Sequence, residues 1–283
     1  MNKRGFSALA RPMDLKYSTN RAILILMAAI NVLFFFVHWA SGVMAWEALV
    51  YAFQAGISVF LAWAIGRELD PDHGLTAFVS AALMLALLFL FPLPNLLALF
   101  WLLLLVRLLN RTVGLPPTLL DITSILGLTA WLCFQENWMY GLLTTMVFLQ
   151  DQFVFKSAQK FAWPVVVASL ITVVYLLIEL AIVIPNMFIG ILAAGGLTFT
   201  FFVLFSLKAS DLKSVGDETG EPLLPKRMKA AQLSAAFIVL LFLLLEGDAA
   251  FAGFLPVWTA MLGTLLFTLW LFLKKSLAGS QLP

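Results

Sequence analysis

From residue 22 to residue 273 the chain is a succession of about ten apolar runs, each close to the ~20 residues a helix needs to cross the hydrocarbon core of a bilayer. Few folds survive that constraint. The runs cover 22–40, 44–66, 75–92, 94–109, 118–134, 138–155, 162–184, 186–207, 231–246 and 251–273. Their apolar residues are continuous rather than alternating, which excludes a transmembrane β-barrel. With 63% hydrophobic and 11% charged residues, the chain has too little polar surface to face water, where roughly a quarter of residues would be charged. The expected fold is an all-α, polytopic integral membrane helix bundle, a single transmembrane domain over 1–283 clothed by the lipid bilayer. A balance of 17 Lys+Arg against 15 Asp+Glu gives no footing for nucleic acid. The one cysteine, Cys133, excludes an intrachain disulfide or a cysteine-based metal cluster. The first apolar run is long and no small-residue cleavage site closes it, so it reads as an anchor rather than a signal peptide.

Orientation follows from Lys and Arg, whose excess marks cytoplasmic segments. If the chain starts inside and crosses ten times, all 17 fall on the inner side. They lie in the tail 1–21, at Arg67, Arg107, Arg111, Lys156 and Lys160, in the loop 208–230, and at Lys274 and Lys275. The opposite joins, including "SG", "PLPN", "QEN" and "EGD", contain none. The expectation is an N-in, C-in protein of a bacterial-type cell membrane, with the charged loop 208–230 mobile on the cytoplasmic side.

The densest charge lies in "GRELDPDHG", residues 66–74. Its structural account is straightforward. Arg67 suits the C-terminus of the second helix, and Asp70-Pro71-Asp72 reads as the start of the third, with Asp70 at N-cap and Pro71 at N1. Its chemical account makes Glu68, Asp70 and Asp72 a carboxylate cluster able to hold Mg²⁺, which prefers oxygen ligands. Arg107 and Asp121 fall at similar depth and are expected to pair; Arg111 and Asp151 share the same inner layer. The acidic groups after the second and sixth segments are placed similarly to those of UbiA-type prenyltransferases. Here "RELDPDHG" and "LQDQFVFKSAQK" stand where those enzymes carry an N-D-x-x-D-x-x-x-D type motif. Asn110-Arg111-Thr112 fits a glycosylation sequon, but on the inner side it has no such use.

Polar residues also recur inside the runs. Glu47, Tyr51, Gln54 and Ser58 fall on one face of the second helix, and Ser169, Thr172, Tyr175 and Glu179 on one face of the seventh. Lipid offers no hydrogen-bond partners, so such faces turn inward, and an ionisable residue within a span points to an ion or solute path. The plainer account makes the hydroxyls interhelical glue and leaves Glu47 at the interface beside Trp46. His38 and His73 fall on opposite sides and cannot share a metal.

Ten spans divide as five plus five, which makes the halves an inverted repeat. "FPLPN" after the third helix and "AAGG" (193–196) in the eighth interrupt corresponding positions. The count, size and orientation look like those of the drug/metabolite transporter superfamily. No Walker loop, H-E-x-x-H, G-x-S-x-G or Cys-x-x-Cys-His occurs. Three functions remain. The first is a secondary transporter or permease for a small solute, possible proton coupling resting on Glu47 and Glu179, with "GRELDPDHG" as its cytoplasmic gate. The second is an inner-face enzyme on a lipid or isoprenoid phosphate, using Mg²⁺ at Asp70 and Asp72 and phosphate held by Arg107 or Arg111. The third is a membrane scaffold without its own chemistry or cofactor.

Overall fold

A computed structural model describes residues 7–11, 13–155, 163–178, 187–208 and 212–279. The described residues are helical throughout, apart from turns and one isolated β-bridge, Val215 to Pro222. The helices are α1 (Ser18–Ala40), α2 (Ala45–Leu69), α3 (Gly74–Leu87), α4 (Leu96–Asn110), α5 (Leu119–Gln135), α6 (Met139–Leu149), α7 (Trp163–Ile178), α8 (Ile189–Lys208), α9 (Pro225–Glu246), α10 (Asp248–Gly253) and α11 (Leu255–Gly279). A π-helical turn, Gln150–Val154, extends α6. Each of the ten apolar runs holds a helix, and the short α10 is added where the chain joins the last two.

Five helices, α1, α2, α8, α9 and α11, are long and apolar enough to cross a membrane, and α3, α4, α5 and α7 are shorter apolar helices. Large apolar side chains stand on the outside: Leu177 is 81% exposed and Leu90 76%. Scattered exposed leucines are ordinary in any protein. Here they continue over Ile25, Phe36, Phe53, Val174 and Phe201, an apolar exterior that calls for lipid rather than water.

The helix α2 occupies the centre, packed on α1, α3, α4 and α11. Ala52, Ala55, Gly56, Val59 and Ala62 are buried along it, small residues that let neighbouring backbones approach. A Cβ on Gly56 would collide with the Asn31 amide of α1, which donates to the Ala52 carbonyl at 2.9 Å. On the far side α4 packs on α9, α9 on α8, and α5, α6 and α7 on one another.

Three sequence-based expectations change. Asp70-Pro71-Asp72 does not start a helix: α3 begins at Gly74, and Asp70 closes α2. The Asp70 carboxylate accepts from the Thr76 hydroxyl at 2.9 Å and from the His73 ring, leaving the backbone cap unmade. The "AAGG" stretch does not interrupt α8, which runs through it unbroken. Gly195 instead lets α8 approach α9, because a Cβ there would lie 2.5 Å from Leu243. The charged loop after α8 is tied down wherever it is described. Val215 and Pro222 bridge, and the Asp217 and Glu218 amides donate to the Thr112 and Val113 carbonyls, both at 3.1 Å. This strap, residues 212–224, presses on Gly114, whose φ of +93° suits only glycine and whose place a larger residue would contest with Thr219. It leads into α9 at Pro225, six residues before the apolar run begins, because proline at N1 starts a helix whatever its hydropathy.

Candidate functional site

Two carboxylates organise one end of the bundle. Glu68, in the last turn of α2, is 0% exposed. It accepts from Arg107 Nε at 2.8 Å, Thr112 Oγ1 at 2.6 Å and Asn110 Nδ2 at 3.0 Å, and Arg11 reaches it at 3.5 Å. Arg107 also donates to the Leu9 carbonyl at 3.0 Å, so the N-terminal segment is stitched to α2 and α4. Arg11 is shared with Asp217 of the strap. Burial depresses the Arg11 pKa, yet Glu68 and Asp217 outweigh it and hold this guanidinium above its ordinary value. Asp151 is the second hub, 1% exposed, held by Arg111 at 3.0 Å and Arg227 at 2.8 Å. Arg227 also donates to the Leu109 carbonyl and lies over the Phe155 ring. Arg111 has a left-handed φ of 53°, rare for a residue with a Cβ. That twist lets Asn110 and Thr112 serve Glu68 while Arg111 between them serves Asp151.

The expected Arg107–Asp121 pair does not form. Asp121 completes a capping box with Thr118 and binds the N-terminal segment, accepting from the Ala8 amide at 2.8 Å and from Ser7. Equal depth is met, but the two side chains face different neighbours. Asp70 and Asp72 also part company, Asp72 accepting from the Lys213 and Ser214 amides at 3.0 and 2.8 Å. Among the described residues no three His, Cys, Asp or Glu side chains gather to hold a metal.

The strap anchor gives a pH prediction. Partial burial would raise the Asp72 pKa, but the Ser214 and Lys213 hydrogen bonds outweigh it and lower it below the ordinary 3.8. A carboxylate depressed in the fold stabilises above its unfolded value and loses that contribution as pH falls through the folded one. Amide exchange at Lys213 and Ser214 is therefore expected to accelerate as pH drops below about 3.8, beyond its intrinsic pH trend. Asp72→Asn should remove that dependence. Asp70 runs the other way: burial raises its pKa, so its ionisation costs stability as pH rises through the carboxylate range.

A cavity of about 430 Å³ adjoins the Glu68 hub, between α1, α2, α4, the N-terminal segment and the strap. Arg11, Arg67 and Arg107 line its polar side; Phe60, Phe100 and Leu103 line the other. Arg67 donates to Asn20 Oδ1 at 3.3 Å and lies over the Trp63 ring at 5.0 Å. Among the described residues no carboxylate is within ion-pair distance of it.

The opposite end is acidic and amide-rich. Asn95 and Tyr140 donate to Glu136, Asn137 donates to Glu246, and the Phe188 amide donates to Asp248 at 3.1 Å. Among the described residues none of these carboxylates has an arginine or lysine partner.

The two polar stripes lie on different helix pairs. Tyr51 stacks on His38 with ring centroids 3.7 Å apart, Ser58 donates to the Gln54 carbonyl of its own helix, and Glu47 is exposed in the first turn of α2. Ser169 and Tyr175 are half-buried on α7, which packs on α5 and α6, and Thr172 donates to the Ala168 carbonyl. Glu179 lies outside the described residues. Comparison with protein-family models, curated proteins and solved structures gives no match.

Sequence reasoning passed over Arg11, Asn110, Thr112, Asp217 and Arg227. Arg227 carried a signal, since a cation in the first turn of a helix opposes the macrodipole and implies a buried anion beside it. Asn110 and Thr112 carried none beyond a sequon, because their shared target depends on the backbone twist at Arg111.

Proposed function

We infer that the chain is a ten-span membrane protein with both termini cytoplasmic, and that it acts as a permease for a small solute gated at its basic end. The observation that carries this reading is the closure around Glu68. One buried carboxylate gathers side chains from α4, from the loop after it and from the N-terminal segment, and through Arg11 it reaches the strap. Buried ion pairs are poor sources of stability compared with apolar packing, so their use here fits a latch that breaks and re-forms. The inner placement of this end is supported by its arginines, set against an opposite end that is acidic. Glu47 and Glu179 stay the candidates for proton coupling, and Tyr51, Gln54, Ser58, Ser169, Thr172 and Tyr175 the candidates for lining the path.

The arginine-lined cavity favours a second reading, an inner-face enzyme on a lipid phosphate. In that reading Asp70 and Asp72 stay the candidates for holding Mg²⁺. Labelling separates the two. Ser58 lies about 15 Å from Glu68 along α2, at 1.5 Å per residue. Ser58→Cys in a Cys133→Ala background should react with a membrane-impermeant maleimide from both vesicle orientations if the protein alternates, and Glu68→Gln should raise the inner rate. Labelling from one side alone contradicts the permease.

A further inference from the structure

We propose that the cavity beside Glu68 binds the phosphate head group of a single-chain anionic amphiphile drawn from the surrounding bilayer. One cation is left without an anion there. Arg67 has one neutral hydrogen bond and, among the described residues, no carboxylate within ion-pair distance, whereas Arg11 and Arg107 already share Glu68. Trp63 lines the cavity at 3% exposure and carries the Arg67 guanidinium over its ring at 5.0 Å. A guanidinium without an anion beside it calls for a ligand rich in acceptor oxygens. The guanidinium fork matches a phosphate oxygen pair, and its charge needs an anion.

The apolar half of the cavity supplies the tail site. Phe60 and Leu103 form its wall, and Phe100, 47% exposed on α4, carries that wall to the outside of the bundle where lipid chains lie. The volume, about 430 Å³, falls within the range of ligand cavities and suits a head group with the first part of one chain. The acidic residues of the lining do not reverse the sign at Arg67: Glu68 is paired with Arg107 and Arg11, Asp217 with Arg11, and Asp14 and Glu218 are exposed.

This ligand class stands apart from gating, since a fixed inner-face site would bind the same amphiphile. Thermal unfolding of the detergent-purified full chain tests it with dodecyl phosphate, inorganic phosphate and dodecyltrimethylammonium as probes. Dodecyl phosphate should raise the transition in a saturable manner, and the other two should leave it unmoved. Arg67→Ala should weaken the apparent affinity at least about tenfold while folding normally without ligand. Equal stabilisation by inorganic phosphate overturns the amphiphile, and equal stabilisation by the cationic probe overturns the head-group site. An unchanged dodecyl phosphate effect in Arg67→Ala overturns the assignment of the cavity. Binding together with one-sided Ser58→Cys labelling leaves this site standing and removes the permease.

Discussion

Glu68→Ala is expected to destabilise the folded protein by about 3–5 kcal/mol, the range for removing one partner of a buried charge pair. The cost arises from what stays behind: Arg107 loses its closest anion, Arg11 keeps only Asp217, the Thr112 hydroxyl loses its acceptor and the Asn110 amide keeps only the backbone carbonyl of residue 68. Glu68→Gln preserves the shape but not the charge, so it should fall between wild type and alanine. Combining Glu68→Ala with Arg107→Ala should cost less than the sum of the single changes, because the second removes a charge the first had stranded. Reversible unfolding in bicelles measures all four states. Strict additivity would mean the two side chains share no energy despite their 2.8 Å separation.

Asp151→Ala is the second large effect, again about 3–5 kcal/mol, and its order relative to its partners is diagnostic. Removing Asp151 leaves Arg111 and Arg227 without their common anion, whereas Arg227→Met leaves Asp151 still paired with Arg111. Asp151→Ala should therefore be the more damaging, and its exchange signature should appear in the first turn of α9, which Arg227 ties to the π-helical turn. If Arg227→Met proved as damaging, packing of the arginine on Phe155 rather than charge would hold this corner.

The helices were legible because apolar runs of near-membrane length leave few alternatives, and among the described residues each of the ten runs holds a helix. Their polar ends were not. Hydropathy placed the start of the ninth run at 231, while Pro225 begins the helix within its charged approach. The candidate site was legible as a layer and not as a set of contacts. Counting rise per residue brought Arg107 and Asp121 to one depth, but depth carries no azimuth, so Arg107 found Glu68 and Asp121 found the N-terminal segment. Periodicity likewise put Tyr51 and Ser58 on one face of α2 and Thr172 on a face of α7 without saying which helices each would meet. The Asn110-Arg111-Thr112 bracket was hidden because one left-handed residue divides its three side chains between two carboxylates.

The central claim is that Glu68 joins four chain segments at the basic end. Hydrogen exchange of Glu68→Gln against wild type, in lipid nanodiscs, tests it most directly. The latch predicts faster exchange at once in residues 7–11, the 110–114 turn and the strap 212–224, with the Glu136 end unchanged. Acceleration spread evenly over both ends, or confined to the last turn of α2, would contradict it.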